Sequence, residues 1–220
     1  MKDDNEKTID ADNDIVTKLK EKINERWRLN LFKICVVLAA IGSITEVVIY
    51  LIDSNTKTLF LPNLLYQFRF IYIPSFMNLI VILLTYHYIK APKLSDTAKN
   101  IWSCILIYFL CANTQFIHYV YGPLLMLPII SIFVSIMFGN RKLTRAITIA
   151  SLISLTAASI VSSQELRKGD PQLLADVGLA ALVILVAQIG ASLMISYVNE
   201  QFDNIAKSNI GRLAFIFKTF

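Results

Sequence analysis

The sequence predicts an all-α membrane protein: a six-transmembrane helix bundle with an N-terminal amphipathic helix and a C-terminal, coiled-coil-like exit helix. Hydrophobic residues make up 55% of the chain and charged residues only 17%, whereas about a quarter of the residues in soluble domains are charged. Several apolar runs reach the roughly 18 residues that cross a bilayer as a helix. The net charge of +5 does not indicate nucleic-acid binding, because the Lys and Arg residues lie between the apolar runs.

Six apolar runs are the predicted spans of a membrane domain over residues 31–198. The fourth is the weakest, because about 15 residues reach only roughly 22 Å across a core of about 30 Å, and Pro128 interrupts it. Gly122 and Pro123 leave room only for a tight hairpin before it. The spans are Leu31–Ile52, Phe70–Ile89, Ile101–Val120, Leu124–Phe138, Thr144–Ser162 and Leu174–Val198.

The distribution of cations predicts the orientation. Residues 18–33, 90–100, 139–145 and 199–220 hold 15 of the 21 Lys and Arg residues, the other loops hold 4, and Lys2 and Lys7 are the remaining two. The positive-inside rule then places both termini in the cytoplasm of a multi-pass protein of the cell membrane. Six spans is the consistent count, because leaving out the fourth span would place the two most basic loops on opposite sides of the membrane.

The segment before the first span has two predicted parts. Residues 1–13 are polar and of mixed charge, so we expect a disordered cytoplasmic tail. Residues 14–30 predict a juxtamembrane amphipathic helix, because apolar residues recur every four positions from Ile15 to Trp27 among Lys and Arg residues. This helix is either a lever on the membrane surface or a plain anchor.

Residues 199–220 continue the last span as a predicted cytoplasmic signalling helix. Ile195, Val198, Phe202, Ile205 and Asn209 follow the three-four spacing of a coiled-coil seam. This spacing predicts a homodimer through the C-terminal helix, although an ordinary frayed helix is the alternative. The apolar, aromatic ending AFIFKTF suits a chain that continues or a reading frame that stops early.

Polar residues within the spans are costly in lipid and form the candidate site. On the predicted topology they cluster in the outer half of the bilayer, over mainly apolar inner halves. Arg69 is expected to pair with Glu46 or Asp176. The layer is either a cavity that takes a small-molecule ligand from the outer side or a set of packing contacts. The candidate ligand-binding residues are Glu46, Arg69, Asn113, Gln115, His118 and Asp176.

The motifs of several enzyme classes are absent from the sequence. It contains no HExxH, GxSxG, P-loop or DDxxD motif. Its two His residues lie on different spans, so neither a metal site nor a cofactor is expected. The three Cys residues fall within apolar runs and are expected to act as small apolar side chains. We therefore expect no enzymatic activity from these 220 residues.

The layout of a basic juxtamembrane helix, six short-looped spans and the linker NEQFDNIAKSNIGRLAFI resembles the N-terminal sensor region of bacterial GGDEF proteins, the diguanylate cyclases. The resemblance implies a signal-transduction module that passes a signal through the last span to a cytoplasmic coiled coil. The chain has neither the D-x-L-T motif nor the GG(D/E)EF motif, so no catalytic residue is carried over. Multi-pass histidine kinases and membrane cyclases of class III share the plan. Outside signalling, the composition is also compatible with a small transporter or permease component and with an integral enzyme that acts on lipid.

Overall fold

The computed structural model consists of six helices, with no strand among the residues it describes, and the predicted all-α bundle is confirmed. The backbone is described at residues 2–57, 61–119, 121–165 and 167–219, and the side chains at 21–57, 61–119, 121–165, 167–201 and 204. The helices are α1 (Lys2–Thr56), α2 (Asn63–Lys90), α3 (Asp96–Ile117), α4 (Gly122–Ile136), α5 (Arg141–Gln164) and α6 (Gln172–Thr219).

Five of these helices are long and apolar enough to cross a bilayer, and α4 is a shorter apolar helix. Large apolar side chains cover the outside of the bundle; Ile44 on α1 and Leu193 on α6, for example, are 64% and 67% exposed. A continuous apolar exterior is suited to lipid and unfavourable in water. The described helices therefore form a membrane-protein bundle, with a core between them.

Helix α4 shows the break that Pro128 predicts. A 3₁₀ turn over Gly122–Met126 precedes Pro128, which then stands at the N-cap of an α-helical stretch over Ile129–Ile136. Proline has no backbone N–H and is therefore tolerated at the start of a helix. The tighter 3₁₀ turn rises about 2 Å per residue instead of 1.5 Å, so it lengthens the segment.

The contacts of α4 with α6 show that this short segment crosses the bundle. Gly122 lies against the side chain of Asp176, near the start of α6. Gly139, just after α4, accepts a hydrogen bond from Asn199 Nδ2 at 3.4 Å. Asp176 and Asn199 are about 35 Å apart along α6 at 1.5 Å per residue. The segment between the two glycines therefore spans the length of the membrane domain.

The packed helices give the bundle two distinct ends. At the Glu46 end, Glu46 of α1 contacts His118, which follows α3. At the Arg28 end, Arg28 of α1 contacts Asp96 at the start of α3. One cavity at the Arg28 end is lined by Ile23, Asn24 and Trp27 of α1 and by Met194, Val198 and Asn199 of α6. These parts of α1 and α6 therefore lie at the same end of the bundle.

Helix α1 is continuous from Lys2 to Thr56 and has no break between the predicted amphipathic segment and the first span. The backbone of residues 2–13 belongs to this helix, where the sequence predicted a disordered tail. The side chains of residues 1–20 lie outside the described residues, so the domain boundary at residue 13 stays a prediction. Within the described part, Trp27 is 43% exposed and Leu31 is buried.

Helix α6 is continuous from Gln172 to Thr219 and extends past the predicted end of the sixth span. Ile195, the first residue of the predicted coiled-coil seam, is fully buried in the core of its own chain. Val198 is half-buried and lines the cavity at the Arg28 end. The side chains of Phe202, Ile205 and Asn209 lie outside the described residues. The dimer seam therefore stays a prediction, and Ile195 cannot contribute to it.

The buried face of α5 consists mostly of hydroxyl residues, and it runs through both halves of the bundle. Thr148 Oγ1 donates to Gln188 Oε1 on α6 at 2.5 Å, and Ser154 Oγ donates to Gln115 Oε1 on α3 at 3.1 Å. The prediction of apolar inner halves thus overlooked these groups. Small residues on this face allow close helix packing in lipid. Five of its nine buried residues carry hydroxyl groups; the nine are Leu143, Thr144, Ile147, Thr148, Ser151, Ser154, Leu155, Ala158 and Ser162.

Candidate functional site

The candidate site is the layer of polar side chains at the Glu46 end, and its most buried pair of ionisable side chains joins α1 to α3. The distance between His118 Nε2 and Glu46 Oε1 is 2.5 Å. Glu46 is 8% exposed, and its second carboxylate oxygen, Oε2, has no hydrogen-bond partner among the described residues. His118 is the C-cap residue of α3, so its backbone leaves the helix while its ring turns towards α1. A buried carboxylate oxygen without a hydrogen-bond donor is costly.

A second contact joins α2, the α3–α4 turn and the α5–α6 loop. Arg69 Nη2 lies 2.6 Å from Glu165 Oε2 and 2.8 Å from Oε1. Tyr119 donates its hydroxyl proton to Glu165 Oε2 at 2.5 Å. Glu165 therefore bridges a cation on α2 and a buried phenol after α3.

The pKa values around Glu165 follow from this geometry. Burial, and then the hydrogen bond to Glu165, raise the pKa of Tyr119 to about 12. The hydrogen bonds from Tyr119 and from Arg69 lower the pKa of Glu165 below its ordinary value. At neutral pH Tyr119 is therefore a phenol and Glu165 a carboxylate, which is the arrangement in which the phenol donates to the carboxylate.

Arg69 lies in a π-helical turn over Gln67–Tyr72, which ends two residues before Pro74. Pro74 cannot donate to the carbonyl of Phe70, and its ring crowds that carbonyl. A single turn of π geometry within an α-helix is rare, and such turns are frequent at functional sites. The widened turn leaves Arg69 37% exposed beside Glu165.

A third contact closes the loop between α5 and α6. Arg167 Nη1 lies 2.7 Å from Asp176 Oδ2, and Arg167 Nε donates to Asp170 Oδ2 at 2.6 Å. The backbone N–H of Gln172 and the Arg167 guanidinium lower the pKa of Asp170. A Cβ atom at Gly122 would lie 2.7 Å from Asp176 Oδ2, so the absence of a side chain there lets Asp176 reach Arg167 beside the start of α4.

The two amides of the predicted site point into the bundle. Asn113 Nδ2 donates to Asn78 Oδ1 at 2.8 Å and to the Pro74 carbonyl at 3.2 Å, which ties α3 to α2. Gln115 is fully buried and donates from Nε2 to the Leu125 carbonyl at 2.8 Å. These bonds satisfy amide groups between helices, which is the packing role that the sequence left open for them.

The structure thus distributes the six predicted residues over separate contacts. Glu46 and His118 meet directly. Arg69 pairs with Glu165, so the expected pairing with Glu46 or Asp176 is wrong: the π turn directs Arg69 towards the α5–α6 loop. Asp176 pairs with Arg167. Sequence reasoning missed Glu165 and Arg167, although the short charged loop QELRKGD between two apolar spans was a usable signal.

Sequence reasoning also missed a buried cation at the Arg28 end. Arg28 is 3% exposed and donates to Asn100 Oδ1 at 2.7 Å and to Asp96 Oδ1 at 3.1 Å. Its Nε atom has no partner among the described residues. The contact anchors α1 to the first turns of α3. Its position in the amphipathic segment made Arg28 look like one of several surface cations.

The chemistry of the Glu46 end is that of paired charges between helix ends. Among the described side chains, no group of three His, Cys, Asp or Glu residues comes together as a metal site needs. Cys35, Cys104 and Cys111 are buried and unpaired by disulfides. Neutralising or displacing one member of a pair would therefore release one helix end from its neighbour.

Comparison of the chain with protein-family models, curated proteins and solved structures finds no match. The resemblance to GGDEF sensor regions accordingly rests on the layout of the sequence alone.

Proposed function

We propose that the chain is a membrane-embedded sensor and signal-transduction module, the input half of a diguanylate cyclase-type protein. In this proposal the Glu46 end faces outwards, and both termini lie in the cytoplasm of a bacterial cell. A small molecule from the outer side, or a change within the membrane, alters the ion pairs at that end. Helix α6 then carries the change to a dimeric output on the cytoplasmic side.

The continuity of α6 is the observation that carries this proposal. Its 48 residues correspond to about 72 Å at 1.5 Å per residue, more than twice the roughly 30 Å of a bilayer core. Asp176, in the second turn of α6, pairs with Arg167. One helix therefore joins the polar layer to a segment well beyond the membrane, and a continuous helix transmits rotation or translation along its length.

A chimera in which residues 1–220 precede a diguanylate cyclase output domain tests the proposal. One to seven Ala residues are inserted between Glu200 and Gln201, and cyclic di-GMP is measured in cells. Each residue rotates the following helix by about 100°, and seven restore the heptad phase. We expect output to vary with insertion length and to recover at seven residues.

The matched control places the same insertions in the turn between α2 and α3, at residues 91–95, where the phase of α6 is unchanged. Output there should not follow a helical period. If insertions after Glu200 give output independent of their length, α6 does not transmit the signal.

A small transporter or permease component is the second candidate, and the hydroxyl face of α5 favours it. Thr148 and Ser154 together with Gln188 and Gln115 place polar groups through the depth of the bundle. Most hydroxyl groups of this face also have a carbonyl acceptor within their own helix, such as that of Thr144 for Thr148 and that of Ile147 for Ser151. Transport would be favoured over sensing by two results together: solute flux in proteoliposomes, and cyclic di-GMP output that does not depend on the Ala insertions after Glu200.

A further inference from the structure

An apolar cavity of about 400 Å³ lies at the Arg28 end, between α1 and α6. Its volume falls within the roughly 300 to 1,000 Å³ of small-molecule sites. The described side chains around it come from three helices and are mainly apolar. Those that matter most are Ile23 and Trp27 of α1, Phe133 and Ile136 of α4, and Met194 and Val198 of α6.

The cavity exists because α1 and α6 belong to different sides of the bundle. Helix α1 packs mainly on α2 and α3, whereas α6 packs mainly on α4 and α5. At this end the two helices face each other across the gap. Trp27, Phe133 and Met194 at its rim are 43%, 49% and 52% exposed. The gap therefore opens on the outer surface of the bundle.

A bilayer determines what fills such a gap. An apolar cavity offers water few hydrogen bonds and stays dry in soluble proteins. In a membrane the exposed rim faces lipid chains, and burial of hydrocarbon against apolar side chains gains dispersion contacts. Hydrocarbon of a neighbouring lipid therefore fits the lining better than water does.

Cations beside the cavity indicate the charge of the lipid head group. Arg141, at the start of α5, is exposed and donates a hydrogen bond to Ser196 on α6. Gly139, two residues before Arg141, lines the cavity, so this cation lies close to it. A guanidinium binds phosphate with two parallel hydrogen bonds, and surface cations attract anionic lipids.

We propose that the cavity binds one acyl chain of an anionic phospholipid whose phosphate lies on Arg141. The bound lipid would complete the packing between α1 and α6. This proposal concerns the Arg28 end and is independent of the proposed sensing at the Glu46 end.

Quenching of Trp27 fluorescence tests the proposal. The chain has two Trp residues, and Trp102→Phe leaves Trp27 alone while keeping a ring against Tyr88. The variant is reconstituted in phosphatidylcholine vesicles that contain a minor fraction of lipid brominated on the acyl chains. That lipid is phosphatidylglycerol in one series and phosphatidylcholine in the other. We expect half-maximal quenching at an about tenfold lower fraction of phosphatidylglycerol, equivalent to about 1.4 kcal/mol.

Matched variants locate the site. In the same background, Val198→Phe fills the cavity, whereas Val186→Phe adds the same ring to a position on α6 that is 60% exposed. Val198→Phe should abolish the preference for phosphatidylglycerol, and Val186→Phe should keep it. Arg141→Gln should abolish it, whereas Lys168→Gln, in the loop between α5 and α6, should not.

Several outcomes would overturn the proposal. Equal quenching by the two lipids would mean that Trp27 contacts bulk lipid without preference for the anionic head group. An absence of quenching would mean that another segment of the chain or a second copy covers Trp27. A preference that survives Val198→Phe would place the lipid elsewhere. If Trp102→Phe does not fold, native mass spectrometry of the wild-type protein with the same two lipids, unbrominated, replaces quenching; equal binding of both overturns the proposal.

Discussion

The Nε2 atom of His118 lies 2.5 Å from Oε1 of Glu46, so one buried carboxyl group joins α1 to the end of α3. The other oxygen of that group has no partner among the described residues. Removal of the imidazole would leave the whole carboxylate without a described side-chain donor. Substitution of His118 and substitution of Glu46 should therefore lower the free energy of unfolding by different amounts.

His118→Ala should lower the free energy of unfolding by about 1 to 3 kcal/mol, the cost of leaving a buried acceptor unsatisfied. Glu46→Gln should cost less, because it removes the charge. The double variant should lose less than the sum of the single losses, with a coupling of about 0.5 to 3 kcal/mol. Thermal melting in detergent measures all three, and strictly additive losses would contradict a direct contact.

In the reporter chimera, Glu46→Gln and His118→Ala should change the response of the output domain at unchanged expression. The physical reason is that each alters the charge or the hydrogen bond that ties α1 to α3. Immunoblotting gives the expression level, and cyclic di-GMP gives the output. Val186→Phe, on the lipid-facing surface of α6, is the control. Wild-type responses in both variants would separate this pair from signalling.

Gly122→Ala should destabilise the protein, because the new Cβ atom would lie 2.7 Å from Asp176 Oδ2 and force that carboxylate away from Arg167. Gly178→Ala, two residues after Asp176, is the matched control, since its Cβ meets nothing within 4 Å. Ala in a helix is favoured over Gly by about 1 kcal/mol, so the control should be neutral or stabilising. Melting temperatures that fall equally in both variants would contradict the close approach of α4 and α6.

The contact of Tyr119 with Glu165 should contribute stability over a defined pH range. The pKa of Tyr119 is raised from 10.0 to about 12, so its contribution is complete below pH 10 and is lost as the pH rises through 12. The pKa of Glu165 is lowered from 4.5, so its contribution is present above that pH and is lost as the pH falls through the lower value. Melting temperature against pH measures both changes.

Tyr119→Phe should remove the alkaline part of that profile, because it lacks the group that titrates. Tyr197→Phe, at an exposed position on α6, is the control and should keep it. Titration of tyrosinate absorbance should show one high-pKa residue fewer in Tyr119→Phe. An unchanged titration would mean that another tyrosine carries the raised pKa.

Arg28→Gln should destabilise the protein by about 1.5 to 3 kcal/mol, the range for hydrogen bonds to charged groups. The lower part of that range applies if water replaces the hydrogen bond that Asp96 loses, since its side chain is 33% exposed. Arg26→Gln changes an exposed cation two residues earlier and should stay within about 0.5 kcal/mol. Equal losses in the two variants would mean that Arg28 is not a buried anchor.

Because α4 crosses the bundle, the loop between α2 and α3 and the loop between α4 and α5 should lie on the same side of the membrane. In a background with Cys35, Cys104 and Cys111 replaced by Ala, single Cys residues are introduced as Lys93→Cys, Lys142→Cys and Lys168→Cys. A membrane-impermeant maleimide should label only the Lys168 position in intact cells. Labelling of the Lys93 and Lys142 positions from opposite sides would mean that α4 does not cross the membrane.

The fold could be predicted from local properties of the sequence. Apolar runs of sufficient length determine which segments enter lipid, and Pro128 gives the break in α4 because proline lacks a backbone N–H. The helix through the basic segment into span one was predicted from its apolar periodicity, whereas the helical backbone of residues 2–13 was not, because that stretch is polar and shows no such pattern.

The candidate site was less predictable, because partners depend on how the helices rotate against one another. Glu46 and His118 were both selected as site residues, yet nothing in their spacing fixes the 2.5 Å contact. Arg69 was assigned the wrong partner, since the π turn before Pro74 changes the direction of its side chain. Arg28 was missed because its burial depends on Asn100 and Asp96, which are distant in sequence.

The hydroxyl face of α5 has a consequence for how the chain is made. Thr148 and Ser151 donate to carbonyls of their own helix, so α5 can enter lipid alone without an orphaned donor. Gln115 on α3 instead needs Leu125 and Ser154, which are synthesised later. A nascent α3 therefore carries an unmatched amide until α5 emerges from the ribosome, which favours its retention beside the translocation channel until the later helices arrive.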